Sequence, residues 1–106
     1  MNENPVTEVA TLINSNGVRV VEFALSPNAN GVWHHHSEML EHCYCLNGRL
    51  TIEIAGAKPA YLSPGNRYEL PAGVKHRIRN EENHIASFLV IQGIGTYDFI
   101  QSEDAL

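Results

Sequence analysis

Apolar and polar residues alternate with a period of two along most of the chain. From Arg49 to Ile54, Leu50, Ile52 and Ile54 point one way, and Thr51 and Glu53 point the other. Val18 to Leu25 repeats the pattern, with Val21, Phe23 and Leu25 on one face and Val18, Val20 and Ala24 on the other. Apolar groups on both faces indicate burial on both sides. Ile85 to Gln92 reads as a long apolar strand, and Val32 to Ser37, Glu41 to Leu46, Ala60 to Leu62, Arg67 to Leu70, Val74 to Arg79 and Tyr97 to Ile100 as shorter ones. Turn residues separate them: Asn16-Gly17, Asn47-Gly48, Ser63-Pro64-Gly65 and Pro71-Ala72-Gly73. Helical periodicity is sustained nowhere; only Thr7 to Asn14 admits a short helix as an alternative to a strand. About ten short strands at close spacing predict an all-β sandwich or barrel. Residues 1–5 and 101–106 read as flexible ends.

A length of 106 residues suits one domain. No apolar run is long enough to span a membrane, and no basic segment followed by an apolar one opens the chain, so the expected location is the cytoplasm. The net charge is −5 and the pI about 5.6. This acidic balance argues against nucleic acid as a partner. Lys75, Arg77 and Arg79 alternate on one strand face, which reads as a solvated face or as an attractor of anions. Cys43 and Cys45 are two apart on one strand, about 6.5–7 Å between Cα atoms, at the limit of disulfide reach. They read as reduced thiols.

The chemistry is concentrated between Gly31 and Gly48, where four of the six histidines fall. His34 and His36 share a strand face, so two imidazoles aim at one point, while His35 and Trp33 face away. Glu38 and Glu41 both offer a carboxylate nearby, and His76, forty residues on, offers a third imidazole. Three neutral imidazoles and one carboxylate suit one divalent transition metal: Mn, Fe, Ni, Co or Zn.

These residues resemble the two motifs of the cupin superfamily. The first, G-x5-H-x-H-x(3,4)-E-x6-G, is matched by His34, His36, Glu41 and Gly48. The second, G-x5-P-x-G-x2-H-x3-N, is matched by Gly65, Pro71, Gly73, His76 and Asn80. Sixteen residues separate Gly48 from Gly65. One departure stands out: the glycine that opens the first motif would fall near Asn28, and the nearest glycine is Gly31. The resemblance covers residues 18–92. It implies a single cupin domain, a jelly-roll or double-stranded β-helix barrel of two antiparallel sheets. It also implies His34, His36, Glu41 and His76 as metal ligands; the spacing to Gly48 favours Glu41 over Glu38.

The implied function is that of a small metal-dependent enzyme acting on a small oxygenated substrate. Dioxygenase-type chemistry is favoured, with Glu41 detached from the metal, or a metal hydroxide, as the general base. Lewis-acid isomerisation or polyketide cyclisation, and ligand binding without turnover, are the alternatives. Outward-facing His42, Tyr44 and Leu46, with the two-sided apolar stretch from Ile85 to Ile91, point to a homodimer.

Overall fold

The computed structural model describes residues 4–104. Eleven strands occupy these residues in chain order: β1 Val6–Ser15, β2 Val18–Leu25, β3 Ala29–Asn30, β4 Trp33–His35, β5 Leu40–Asn47, β6 Leu50–Ile54, β7 Ala60–Leu62, β8 Arg67–Leu70, β9 His76–Asn80, β10 Ala86–Gly93 and β11 Ile100–Ser102. One antiparallel sheet runs β1-β2-β10-β5-β8. The other runs β11-β4-β9-β6-β7, with β3 added beside β9. Among the described residues there is no helix, and therefore none long and apolar enough to cross a membrane. The alternation sorts the faces as expected. Ala86, Phe88, Val90 and Gln92 of β10 are buried, as are Glu41, Cys43 and Cys45 of β5 and His76, Ile78 and Asn80 of β9. The two inner faces meet in a core of Leu25, Leu50, Ile52, Leu70 and Phe88, with Phe23 stacked on Phe88 at 5.4 Å. Ile85 is exposed, and Leu89 and Ile91 lie half-buried on the outer face.

The segment Thr7 to Asn14 is strand throughout. Asn16 and Gly17 both have positive φ, 54° and 77°, the two-residue turn that suits a twisted hairpin, and it lays β1 on β2 from Ser15↔Val18 to Val6↔Leu25. Two expectations at the C-terminal end are corrected. Tyr97, Asp98 and Phe99 are not in a strand; β11 begins at Ile100. The rings of Tyr97 and Phe99 pack against His36 and His34 instead, which carries these residues across the barrel end. Gln101 and Ser102, read as part of a loose tail, pair with His34 and Trp33. Of the ends read as flexible, residues 1–3 and 105–106 lie outside the described residues. Asn4 Oδ1 accepts a hydrogen bond from Val6 N.

The motif departure has a physical explanation. Asn28 has φ 51°, in the left-handed region where asparagine is among the few tolerated side chains. Its main-chain N–H donates to Glu82 O at 2.9 Å and its amide to Asn83 Oδ1 at 2.8 Å. Asparagine thus performs here the turn a glycine would make. Asn80, which ends the second motif, is buried and ties down the same end of the barrel. Its amide donates to Leu25 O, Ser26 O and His84 O, and its Oδ1 accepts from Glu82 N. Arg77 and Arg79 both pair with Glu53, so their face is a half-exposed ionic network. Cys43 and Cys45 are free and buried.

Replacing Asn28 with glycine is expected to leave the urea midpoint nearly unchanged. Asn28→Val should lower stability by about 1–2 kcal/mol, the cost of a branched side chain at positive φ. Equal midpoints for the two variants would contradict this account of the turn.

Candidate metal centre

Antiparallel pairing brings the chemistry to one end of the barrel. His76 opens β9 and sits opposite His34 of β4. Glu41, near the start of β5, sits opposite Gln92, near the end of β10. His36 lies one residue beyond β4. The four residues expected as ligands therefore converge from three segments of the chain. One ring nitrogen from each of His34, His36 and His76 lies within 4.8 Å of the other two. Glu41 sits against two of these rings, with Oε1 3.1 Å from His36 Nε2 and Oε2 3.8 Å from His76 Nε2. Of the four expected ligands, Glu41 lies outside this mutual set of three; His35 also stays outside it, and Glu38 is exposed, accepting from Thr96 N.

Each imidazole is held by its other nitrogen. His34 Nδ1 meets Val32 O at 2.9 Å, His76 Nδ1 meets Val74 O at 2.9 Å, and His36 Nδ1 meets Asp98 O at 2.6 Å. A carbonyl oxygen only accepts, so each Nδ1 carries the proton and each neutral ring turns an Nε2 lone pair into the centre. His76 Nε2 is buried and has no hydrogen-bond partner among the described residues. His36 Nε2 faces the carboxylate of Glu41, a contact that needs a cation or a proton between the two groups. An orphaned buried lone pair, two more beside it and a facing carboxylate fit a divalent metal, whose ligand atoms lie about 3 Å apart at bond lengths of about 2.1 Å.

The titration behaviour reflects the same geometry. Burial pushes His34 down to about 4, helped by the neighbouring His76. Burial also lowers His76. At His36 burial works downward, but the hydrogen bond and charge of Glu41 outweigh it and raise the ring above its ordinary value. At Glu41 burial works upward, yet the hydrogen bond from His36 and the charge of His76 bring the carboxyl to about 2. Burial raises the Cys43 thiol well above its usual range, so it is the neutral thiol that lies below the centre.

A cavity of about 60 Å³ opens beside the cluster. At roughly 10–15 Å³ per water on this measure, it holds on the order of five waters. Its polar lining includes His34, His36, Glu41 and Gln92; the remainder is largely apolar, with Phe23, Val32, Phe88 and Phe99 among the walls. Phe99 stacks on His34 with ring centroids 4.2 Å apart. Three parts of this site escaped the sequence reading. Gln92 was visible as one amide on the inward face of an apolar strand. Arg19, whose guanidinium donates to Gln92 Oε1 at 2.8 Å, was visible as a charge on the inward face of β2, two before Val21. The crossing of Tyr97, Asp98 and Phe99 left no periodic signal.

The pH dependence of the metal-free fold follows. His34 and His76 are harder to protonate folded than unfolded, so stability should fall as the pH drops from about 6.5 toward 4. The His36 contribution has the opposite sign: it is complete below 6.5 and lost as pH rises through the raised folded value. The Glu41 contribution is present above 4.5 and lost as pH falls toward 2. Thermal melts of metal-free protein from pH 7 to 4 should therefore show a falling Tm, and His34→Ala should flatten the slope. An unchanged slope would contradict the burial assigned to this ring.

Comparison with known proteins agrees with this architecture. The family described as Cupin domain matches residues 21–92. Among curated proteins no match is found. Among solved structures, TT1209 from Thermus thermophilus is 26% identical, with a TM-score of 0.75 over 84% of this chain and 83% of that one. The polyketide cyclase RemF from Streptomyces resistomycificus is 23% identical, with a TM-score of 0.77 over 95% of this chain and 75% of that one. A recombinant oxalate oxidase in complex with glycolate is 18% identical, with a TM-score of 0.80; 93% of this chain is covered, but only 56% of the oxidase. The two facing antiparallel sheets, both motifs and the match over residues 21–92 together place this chain in the cupin domain family.

Proposed function

We propose that this chain is a metal-dependent enzyme acting on a small oxygenated molecule, by oxidative chemistry of the dioxygenase type. The ion would be a single Mn, Fe, Ni, Co or Zn held by His34, His36, Glu41 and His76. The observation that carries this reading is the set of three imidazoles, each fixed at Nδ1 by a main-chain carbonyl, with ring nitrogens within 4.8 Å of one another and one carboxylate set against two of them. When bound, such an ion supplies a Lewis acid and, for Fe or Mn, a redox partner for dioxygen.

The chain's own part is to select, orient and accept a proton. A cavity of about 60 Å³, room for about five waters, suits a small molecule beside the cluster. Its apolar walls suit a compact hydrocarbon body, and the polar cluster suits an oxygen-bearing end. Glu41 is the one carboxylate among the described residues lining the cavity, which makes it the base for a substrate hydroxyl or enol proton. The likeness in fold to an oxalate oxidase supports redox chemistry on a small substrate. The likeness to a polyketide cyclase supports a second reading, Lewis-acid cyclisation or isomerisation without oxygen. The size of the cavity weighs against a polycyclic substrate.

Elemental analysis of protein reloaded with Mn, Fe, Ni or Zn should find about one metal ion per chain. His76→Ala should weaken its binding by well over tenfold, and His35→Ala by less than about twofold. Oxygen-electrode assays with catechol and small diketones should then show uptake. Turnover without oxygen uptake would favour the Lewis-acid reading. Failure to bind any of the four metals, or equal losses in both variants, would refute the metal site as drawn.

A further inference from the structure

Gln92 is a costly residue where it stands. Its side chain is buried on the inward face of β10, in line with Ala86, Phe88 and Val90, and an amide there must be hydrogen-bonded at both ends. Arg19 Nη1 donates to Gln92 Oε1 at 2.8 Å, and Gln92 Nε2 donates to Glu41 Oε1 at 2.8 Å. A guanidinium can only donate and an ionised carboxylate can only accept. The orientation of the amide is therefore set independently from both sides. Arg19 is held in turn: it lies opposite Gln92 in the β2–β10 register, and its guanidinium packs over the Tyr97 ring at 3.7 Å. The chain Tyr97–Arg19–Gln92–Glu41 runs from the segment crossing the barrel end to the carboxylate at the cluster.

One hydrogen of the Gln92 amide remains. Its nitrogen is 3.3 Å from His36 Nε2, the ring nitrogen whose lone pair His36 would give to a metal. A ring nitrogen engaged by a metal accepts no hydrogen bond, so the second Gln92 N–H is left for another acceptor beside the cluster, in a residue that lines the cavity.

We propose that Gln92, locked by Arg19, is the hydrogen-bond donor this pocket presents to its ligand. The ligand class is a small molecule with an apolar body and a carbonyl or carboxylate oxygen seated next to the metal. The inference rests on the metal reading above and adds to it a residue that reads the ligand's acceptor oxygen. In these terms Gln92 is a substrate-contacting residue, and Arg19 is a positioning residue that acts through it.

The test uses cobalt-loaded protein and acetohydroxamate, a small oxygen-donor probe, followed by the cobalt absorption bands. At saturating cobalt, Gln92→Leu should weaken acetohydroxamate binding by about tenfold, the loss of one good hydrogen bond. Arg19→Leu should weaken it by about threefold, because the amide can then turn over, and Arg19→Lys should restore most of that loss. Binding within about twofold of wild type in cobalt-saturated Gln92→Leu overturns the proposal and leaves the metal site standing. Wild-type protein that takes up no cobalt overturns both.

A wild-type measurement guards against a variant that does not fold. In the nitrogen-15 spectrum of the zinc-loaded chain, one Gln92 side-chain amide proton should move downfield on adding acetohydroxamate. Two unmoved amide protons would overturn the assignment.

Discussion

The site depends on three hydrogen bonds that never touch a ligand. Val32 O, Val74 O and Asp98 O each take the Nδ1 proton of one histidine. This fixes the tautomer, the ring plane and the direction of the remaining lone pair. Two of the three carbonyls lie two residues before the histidine they hold, so local backbone shape near the starts of β4 and β9 does the work. The third is brought in from the far end of the chain by the crossing of Tyr97, Asp98 and Phe99. Burial disfavours the protonated forms of His34 and His76, and their lowered values record it, whereas His36 and Glu41 stabilise each other's charged forms. The His34 and His76 rings are thereby kept neutral, the form that binds a metal.

The rest of the barrel serves this end. The inner faces supply an apolar box of Leu25, Leu50, Ile52 and Phe88 that leaves little freedom below the cluster. Asn80 and Asn28 secure the turns at the opposite end. Because β5 and β10 pair antiparallel with Glu41 opposite Gln92, the two meet as direct neighbours; a one-residue slip of either strand would turn its own side chain out of the barrel. Strand register therefore decides whether the carboxylate has its amide partner. Among the described residues lining the cavity there is a single carboxylate, Glu41, with the amides of Gln92 and Asn4, so the protein's contribution in this reading is mainly positioning and exclusion.

Much of this was legible in the residues. Strand alternation and turn chemistry are local, so Leu50-Thr51-Ile52-Glu53-Ile54 and Asn16-Gly17 declared themselves. The i, i+2 spacing of His34 and His36 made one inward pair, and the motif supplied Glu41 and His76. What stayed hidden depends on the fold as a whole. The partnership of Arg19 with Gln92 spans 73 residues and exists only through the β2–β10 register. The crossing at Tyr97 and Phe99 follows from ring packing on His36 and His34, which has no sequence period. The turn at Asn28 looked like a broken motif because the motif specifies glycine, whereas the backbone requires only a residue that tolerates positive φ.

X-ray absorption at the metal edge of zinc-loaded protein tests the centre most directly. The geometry predicts scattering from three imidazoles and one carboxylate oxygen, with nitrogen and oxygen neighbours at about 2.0–2.2 Å. A sulfur neighbour at about 2.3 Å, which would bring in Cys43 or Cys45, or fewer than three imidazoles, would contradict it.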